Sequence, residues 1–148
     1  MKALVVYDSM YGNTETIAKA IGGAITGEVG VRRAGDVSAS DLQSIDLLVV
    51  GSPTQGGRPT KPIQDFVNSI GGPVRGLRVA VFDTRLSAKW VGVFGHAAER
   101  IADALQKQGG ILAAPAAAFV VGGKEGPLKE GEAARAAEWA RGLSANKK

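Results

Sequence analysis

Apolar positions along this chain fall in two alternating rhythms. Continuous apolar runs occur at Ala3 to Tyr7, within Asp46 to Gly51, and at Leu77 to Phe82. Short runs of this kind, without alternation, mark strands buried on both faces. Between them, apolar residues recur at helical spacing: Ile17, Ile21 and Ile25; then Ile63, Phe66, Val67 and Ile70; then Phe94, Ala97, Ala98, Ile101 and Leu105. Each set lines one face of a helix. Gly27 to Arg33 reads as a weaker strand, whose charges and glycines suit the sheet margin. Ile111 to Val121 contains a fifth strand, expected at an edge because Pro115 interrupts its donor ladder. Asp36 to Ser44 is a polar connector with a helical turn around Asp41 and Leu42. Thr60 is expected to cap the second helix, with Pro62 in its first turn and Gly71-Gly72-Pro73 at its end. Gly109-Gly110 stops the third helix. Pro127 to about Leu143 reads as a last helix, with Ala136, Ala140 and Leu143 inward and Glu132, Arg135, Glu138 and Arg141 outward.

Strands alternating with helices imply an α/β fold with a mainly parallel sheet and helices on both faces. Right-handed crossovers prune the possible topologies, and the order expected among those left is 2-1-3-4-5, in a three-layer, doubly wound, five-stranded sheet. The expectation is one domain over residues 1–145, with 146–148 a disordered tail. Three loops then converge at the carboxyl ends of strands 1, 3 and 4, where open α/β sheets bind ligands. They are Asp8 to Thr14, Ser52 to Pro59, and Asp83 to Trp90. The first compresses a strand end, a tight turn and a helix start into a few residues. Backbone N–H groups at a helix start lack intrahelical partners and sit at the positive end of the dipole, which suits a phosphate. Gly12 allows the turn, and the Ser9 and Thr14 hydroxyls can donate to the same oxygens.

Composition narrows the chemistry. The chain has no Cys, which excludes disulfides and thiolate metal sites. Its one His, His96, makes no metal site, and no metal is expected. The net charge is +4, but Lys and Arg are scattered and carry no aromatic interleaving, so no nucleic-acid partner is expected. No apolar run reaches bilayer length, and the N-terminus lacks a signal-peptide pattern, so the expectation is no membrane insertion and a cytoplasmic location. The first loop lacks the Lys of Gly-x-x-x-x-Gly-Lys-Ser/Thr, which argues against phosphoryl transfer. No catalytic residue is evident. Trp139 on the last helix reads as packing.

The first loop, Ser9-Met10-Tyr11-Gly12-Asn13-Thr14, resembles the phosphate loop of flavodoxins, with Tyr11 where that family often has Thr. The resemblance extends through Val50-Gly51-Ser52-Pro53-Thr54 and Val81-Phe82-Asp83-Thr84 to Gly126-Pro127-Leu128-Lys129-Glu130-Gly131-Glu132, which looks like the start of the last helix in short-chain members. Flavodoxins are themselves the standard case of the 2-1-3-4-5 order, with flavin between strands 1 and 3. The resemblance implies FMN. Its phosphate would lie on Ser9, Met10, Tyr11, Gly12, Asn13 and Thr14. Its ring would lie between Ser52, Pro53, Thr54, Gln55 and Gly56 on one edge and Asp83, Thr84, Arg85 and Leu86 on the other, with Trp90 as a neighbour. Two departures stand out. The second loop has no aromatic residue to stack on the ring, and Arg58, Lys61, Arg85 and Lys89 flank the crevice, where positive charge would favour a reduced, anionic flavin.

The function implied is an electron carrier, the flavin performing the redox chemistry while the protein positions it. Its partner would be a reductase or oxidase docking at the flavin edge, and the chain would act as a monomer, with a dimer as the alternative. Two other readings stay open: an FMN-dependent NAD(P)H:quinone-type oxidoreductase, and a module of the same fold that has lost flavin binding.

Overall fold

The computed structural model of this chain describes residues 1–55, 57–86, 97–123 and 125–145. Its elements are β1 (Lys2–Tyr7), α1 (Asn13–Ala24), β2 (Glu28–Arg33), β3 (Leu47–Pro53), α2 (Lys61–Ile70), β4 (Arg78–Leu86), α3 (Ala97–Lys107), β5 (Ile111–Leu112), β6 (Ala117–Val121) and α4 (Glu132–Ala145). The strands pair in parallel in the order β2-β1-β3-β4-β5, and β6 also pairs with β4. This is the doubly wound order read from the sequence. The fifth strand is one strand in two pieces. Val79 pairs with Leu112, and pairing resumes at Phe82 with Ala117. Pro115 lies in the gap, where its missing N–H leaves nothing to donate to the ladder.

Alternation along each central strand feeds two separate cores. Leu4, Val6, Leu48, Val50 and Val81 face α2 and α3 with Ile63, Phe66, Val67, Ile101 and Leu105. Val5, Tyr7, Val49, Ala80 and Phe82 face α1 and α4 with Ile17, Ile21, Ala136, Ala140 and Leu143. Burial of each large aliphatic side chain contributes roughly 1.5–3 kcal/mol, so the central strands are the most strongly held part of the sheet. Trp139 packs edge-on against Phe82 and Phe119, at centroid distances of 6.4 and 6.2 Å, as a core residue. Strand β2 is half-buried to exposed along its length and pairs only with β1, in keeping with its weak apolar pattern.

Three local expectations are corrected. Strand β4 runs on through Asp83, Thr84, Arg85 and Leu86, which the sequence reading assigned to a loop. These residues keep pairing with the end of β3 (Ser52 with Asp83, Pro53 with Thr84) and then with β6. Thr60 precedes α2, but its hydroxyl makes no cap bond and lies buried with no hydrogen-bond partner among the described residues. Its own N–H instead reaches the Ser52 hydroxyl at 3.0 Å. Helix α4 begins at Glu132 rather than near Pro127. The preceding residues return to the sheet: Leu128 bridges to Val121 and the Lys129 N–H donates to the Val120 carbonyl.

Glu132 itself is buried, not outward. It takes an N–H from Val120 at 2.6 Å and a fork from Arg135 at 2.9 and 2.8 Å. Arg135 also donates to the Ala118 carbonyl and lies 4.6 Å over the Phe119 ring. Arg135 first, then the Val120 N–H, holds the Glu132 carboxyl below the usual range against the opposing effect of burial. A carboxylate lowered on folding adds stability above its unfolded pKa, and this is lost as pH falls through the folded value. Glu132→Gln is therefore expected to cost about 1.5–3 kcal/mol near neutrality, the range for hydrogen bonds to a charged group. It should also flatten the acid limb of a melting-temperature profile taken between neutral pH and pH 3. A parallel acid limb in the variant would contradict this.

Candidate functional site

At the carboxyl end of the sheet, a cleft of about 410 Å³ is lined by Ser9, Met10, Tyr11, Asn13, Thr14, Pro53, Thr54, Gln55, Thr84, Arg85, Leu86 and Val121. Eleven of the sixteen residues chosen from the sequence thus share one cavity. Gly12, Ser52 and Asp83 stand beside it without lining it, and Gly56 and Trp90 lie outside the described residues. His96, Phe94, Lys89 and the tail 146–148 are outside them as well. Val121 was missed because its strand was read only as an edge. Its place follows once β6 pairs with the extended end of β4.

The first loop is built to leave donors open. Gly12 is the N-cap of α1, at φ 90°, a backbone shape costly for any residue with a Cβ. Its N–H is taken by the Ser9 hydroxyl at 3.0 Å. No side chain caps the helix, and the first internal bond is from Thr16 N–H to the Gly12 carbonyl. The N–H groups of Asn13, Thr14 and Glu15 therefore have no acceptor among the described residues. The Asn13 carboxamide is engaged elsewhere, donating at 3.2 Å to the Glu125 carbonyl in the connection before α4. Thr14 is buried and its hydroxyl meets that of Thr84 at 2.9 Å, tying the loop to β4.

A polar network braces the outer flank of this loop. Arg33, opposite Tyr7 in the β1–β2 register, lies 5.3 Å over the Tyr7 ring. It donates to the Ser9 carbonyl at 3.3 Å and pairs with Asp8 at 3.5 Å and Glu15 at 3.8 Å. Lys19 and the Tyr7 hydroxyl also reach Glu15, and the two together, Lys19 first, keep its carboxyl below the usual range. Burial, then the same Glu15, pushes the Tyr7 hydroxyl up. Sequence reading missed Arg33 because it belongs to a marginal strand. The signal was positional, since the ends of strands 1 and 2 are neighbours in the expected order.

The second and third walls are similarly fixed. The Ser52 hydroxyl is fully buried and spent on Pro53 and Thr60, so it serves the turn. Gln55 and Arg58 close a small antiparallel bridge, and the Thr54 hydroxyl accepts the Ala97 N–H at 3.2 Å. Asp83 has no exposed surface. Arg85 holds it through Nε at 2.7 Å and Nη2 at 2.5 Å, and the Ala98 N–H adds a third bond at 3.0 Å. Arg85 also reaches Glu99 at 3.3 Å. Its Nη1 has no acceptor among the described residues, and the residue lines the cleft. Arg85 thus lies between two carboxylates, which offset its positive charge at this wall.

A doubly wound sheet with an uncapped helix start opening on its switch-point cleft has the layout of open α/β proteins, whose ligand crevice lies at the carboxyl ends of the strands. Residues 5–139 match the family model described as Flavodoxin. The chain belongs to the short-chain flavodoxin family, a family of electron-transfer proteins. Among solved structures it is similar to a flavodoxin from the domain Archaea, at 23% identity and TM-score 0.83 over 98% of this chain and 97% of that one. Flavodoxin 2 from Bacillus cereus matches at 25% identity and TM-score 0.81, over 98% and 99%. The flavodoxin of Megasphaera elsdenii matches at 21% and 0.76, over 97% and 98%. The first and third likenesses speak to fold alone. No helix among the described residues is long and apolar enough to cross a membrane.

Proposed function

We propose that this chain is an FMN-binding electron carrier that exchanges electrons with a redox protein, acting in the cytoplasm. The observation that carries the reading is the open start of α1. Three N–H donors without acceptors among the described residues match what one terminal phosphate needs, and they adjoin a cleft walled by the ends of β1, β3 and β4. The remaining donors fit the same ligand. Arg85 and Gln55, whose side chains carry N–H donors, line the wall where a heterocycle carrying carbonyl and ring-nitrogen acceptors would lie. When bound, the flavin supplies the one- and two-electron chemistry.

The chain's own residues bind and orient. Ser9 and Arg33 hold the first loop in shape, Thr14 and Thr84 join two walls, and the Asp83–Arg85 pair sets the third. The described second-loop residues include no aromatic, and Tyr11 is the one aromatic lining the cleft among the described residues. Tyr11, Met10 and Leu86 are the exposed apolar side chains at its rim, at 44%, 56% and 42% exposure. They are the surfaces available to cover the ring. Tyr11→Ala is expected to weaken FMN roughly tenfold, the loss of one aromatic contact, with phosphate alone binding as before.

Titration of FMN into the flavin-free protein, read as quenching of flavin fluorescence, tests the whole reading. Saturable one-to-one quenching that riboflavin does not reproduce supports it. Absence of quenching overturns it.

A further inference from the structure

A second cleft, of about 380 Å³, lies between α2 and α3. Its floor is aliphatic, with Ile63 and Val67 from α2 and Ile101 and Ala104 from α3. Its rim carries the exposed guanidinium groups of Arg58 and Arg100. No carboxylate among the described residues lies within ion-pair distance of either. The carboxylates of Asp65 and Glu99 nearby are engaged with Lys61 and Arg85. Arg100 donates through Nε to the Gly57 carbonyl at 2.8 Å, and its two Nη groups have no acceptor among the described residues. The chain as a whole carries a net charge of +4.

Two uncompensated arginines beside an aliphatic floor match carboxylates flanking an apolar side chain, since arginine forks fit carboxylates and are enriched at interfaces. We infer that the α2–α3 cleft docks an acidic protein partner, its carboxylates on Arg58 and Arg100 and an apolar side chain between the helices. The identification of that partner as a redox protein rests on the electron-carrier reading. The position suits it. Arg58 and Pro59 of this cleft belong to the same connection as Thr54 and Gln55, which line the cofactor cleft. A protein seated here is beside the cofactor wall.

The test uses the FMN-loaded, reduced protein and an acidic b5-type cytochrome as acceptor, one electron passing to each ferric haem. The wild-type rate should fall as salt rises. Arg58→Glu with Arg100→Glu should slow it by about tenfold or more at low salt and remove the salt dependence, as expected when charge steering is lost. Arg75→Glu with Lys107→Glu makes the same charge change on exposed residues at the opposite end of the sheet, and should leave most of the rate. Arg100→Lys keeps the charge without the Gly57 bond and should keep the salt dependence. Equal slowing by both double reversals, or none by the first, overturns the inference. So does binding to phosphatidylserine vesicles, and not to the cytochrome, through these two arginines. Should the protein hold no flavin, the electron-carrier reading fails by itself. Amide shift perturbation by the cytochrome then reads the docking surface directly, and shifts absent from α2 and α3 overturn the inference.

Discussion

Thr14→Asp is expected to abolish FMN binding, lowering affinity at least about a hundredfold, or roughly 2.7 kcal/mol. The side chain at this position is 1% exposed, in the first turn of α1, among the N–H groups that have no protein acceptor. A carboxylate there can take those donors itself, as acidic residues do at helix starts. It also sets a negative charge against an incoming phosphate inside a partly dry cleft, where screening is weak. Thr14→Val separates this from loss of the Thr84 contact. It removes the hydroxyl, leaves the N–H groups open, and should cost only about the 0.5–1.5 kcal/mol of one neutral hydrogen bond. Fluorescence titration of both variants, with circular dichroism to confirm folding, makes the comparison. Equal affinities for the two variants would mean that the anion is held elsewhere.

Arg85→Gln should be the most damaging change to stability. Asp83 is sealed from solvent and its only cationic partner among the described residues is Arg85, itself mostly buried with 16% of its side chain exposed. Removing the guanidinium leaves a buried carboxylate with a single backbone donor from Ala98. Breaking a buried ion pair from one side costs about 3–5 kcal/mol. Asp83→Asn combined with Arg85→Gln should recover a good part of that loss, because the uncompensated charge is gone. Chemical denaturation of the two single variants and the double one gives the coupling directly. Simple additivity would show that the pair is not the reason for the loss.

The layered architecture was open to reading because it depends on short-range regularities. Runs such as Leu47 to Val50 admit only a strand buried on both faces, and Ile63, Phe66, Val67 and Ile70 admit only a helix with one apolar side. The first loop was legible for the same reason, since Gly12 and the hydroxyls beside it lie within one turn of a strand end. What escaped was set by contacts distant in sequence. Strand β4 runs on past Phe82 because the ends of β3 and β6 offer it partners, and Asp83, Thr84 and Arg85 look like turn residues until those partners are present. Glu132 looks like a surface charge until Arg135 and the Val120 N–H surround it. Counting cations around the crevice left out their acidic partners. Lys61 is matched by Asp65 and Arg85 by Asp83 and Glu99, so of the three described cations Arg58 alone has no ion-pair partner among the described residues.

The bond from Asn13 to the Glu125 carbonyl spans 112 positions of the chain. A Cβ on Gly126 would come within 2.7 Å of the same carboxamide, so the two segments are fitted face to face. A ribosome making this protein has synthesised the turn before α1 long before the residues that support it. The nascent polypeptide cannot complete the support of this loop until a segment 112 positions further along has emerged, so the turn takes its final form late, by a contact made across the chain rather than within it.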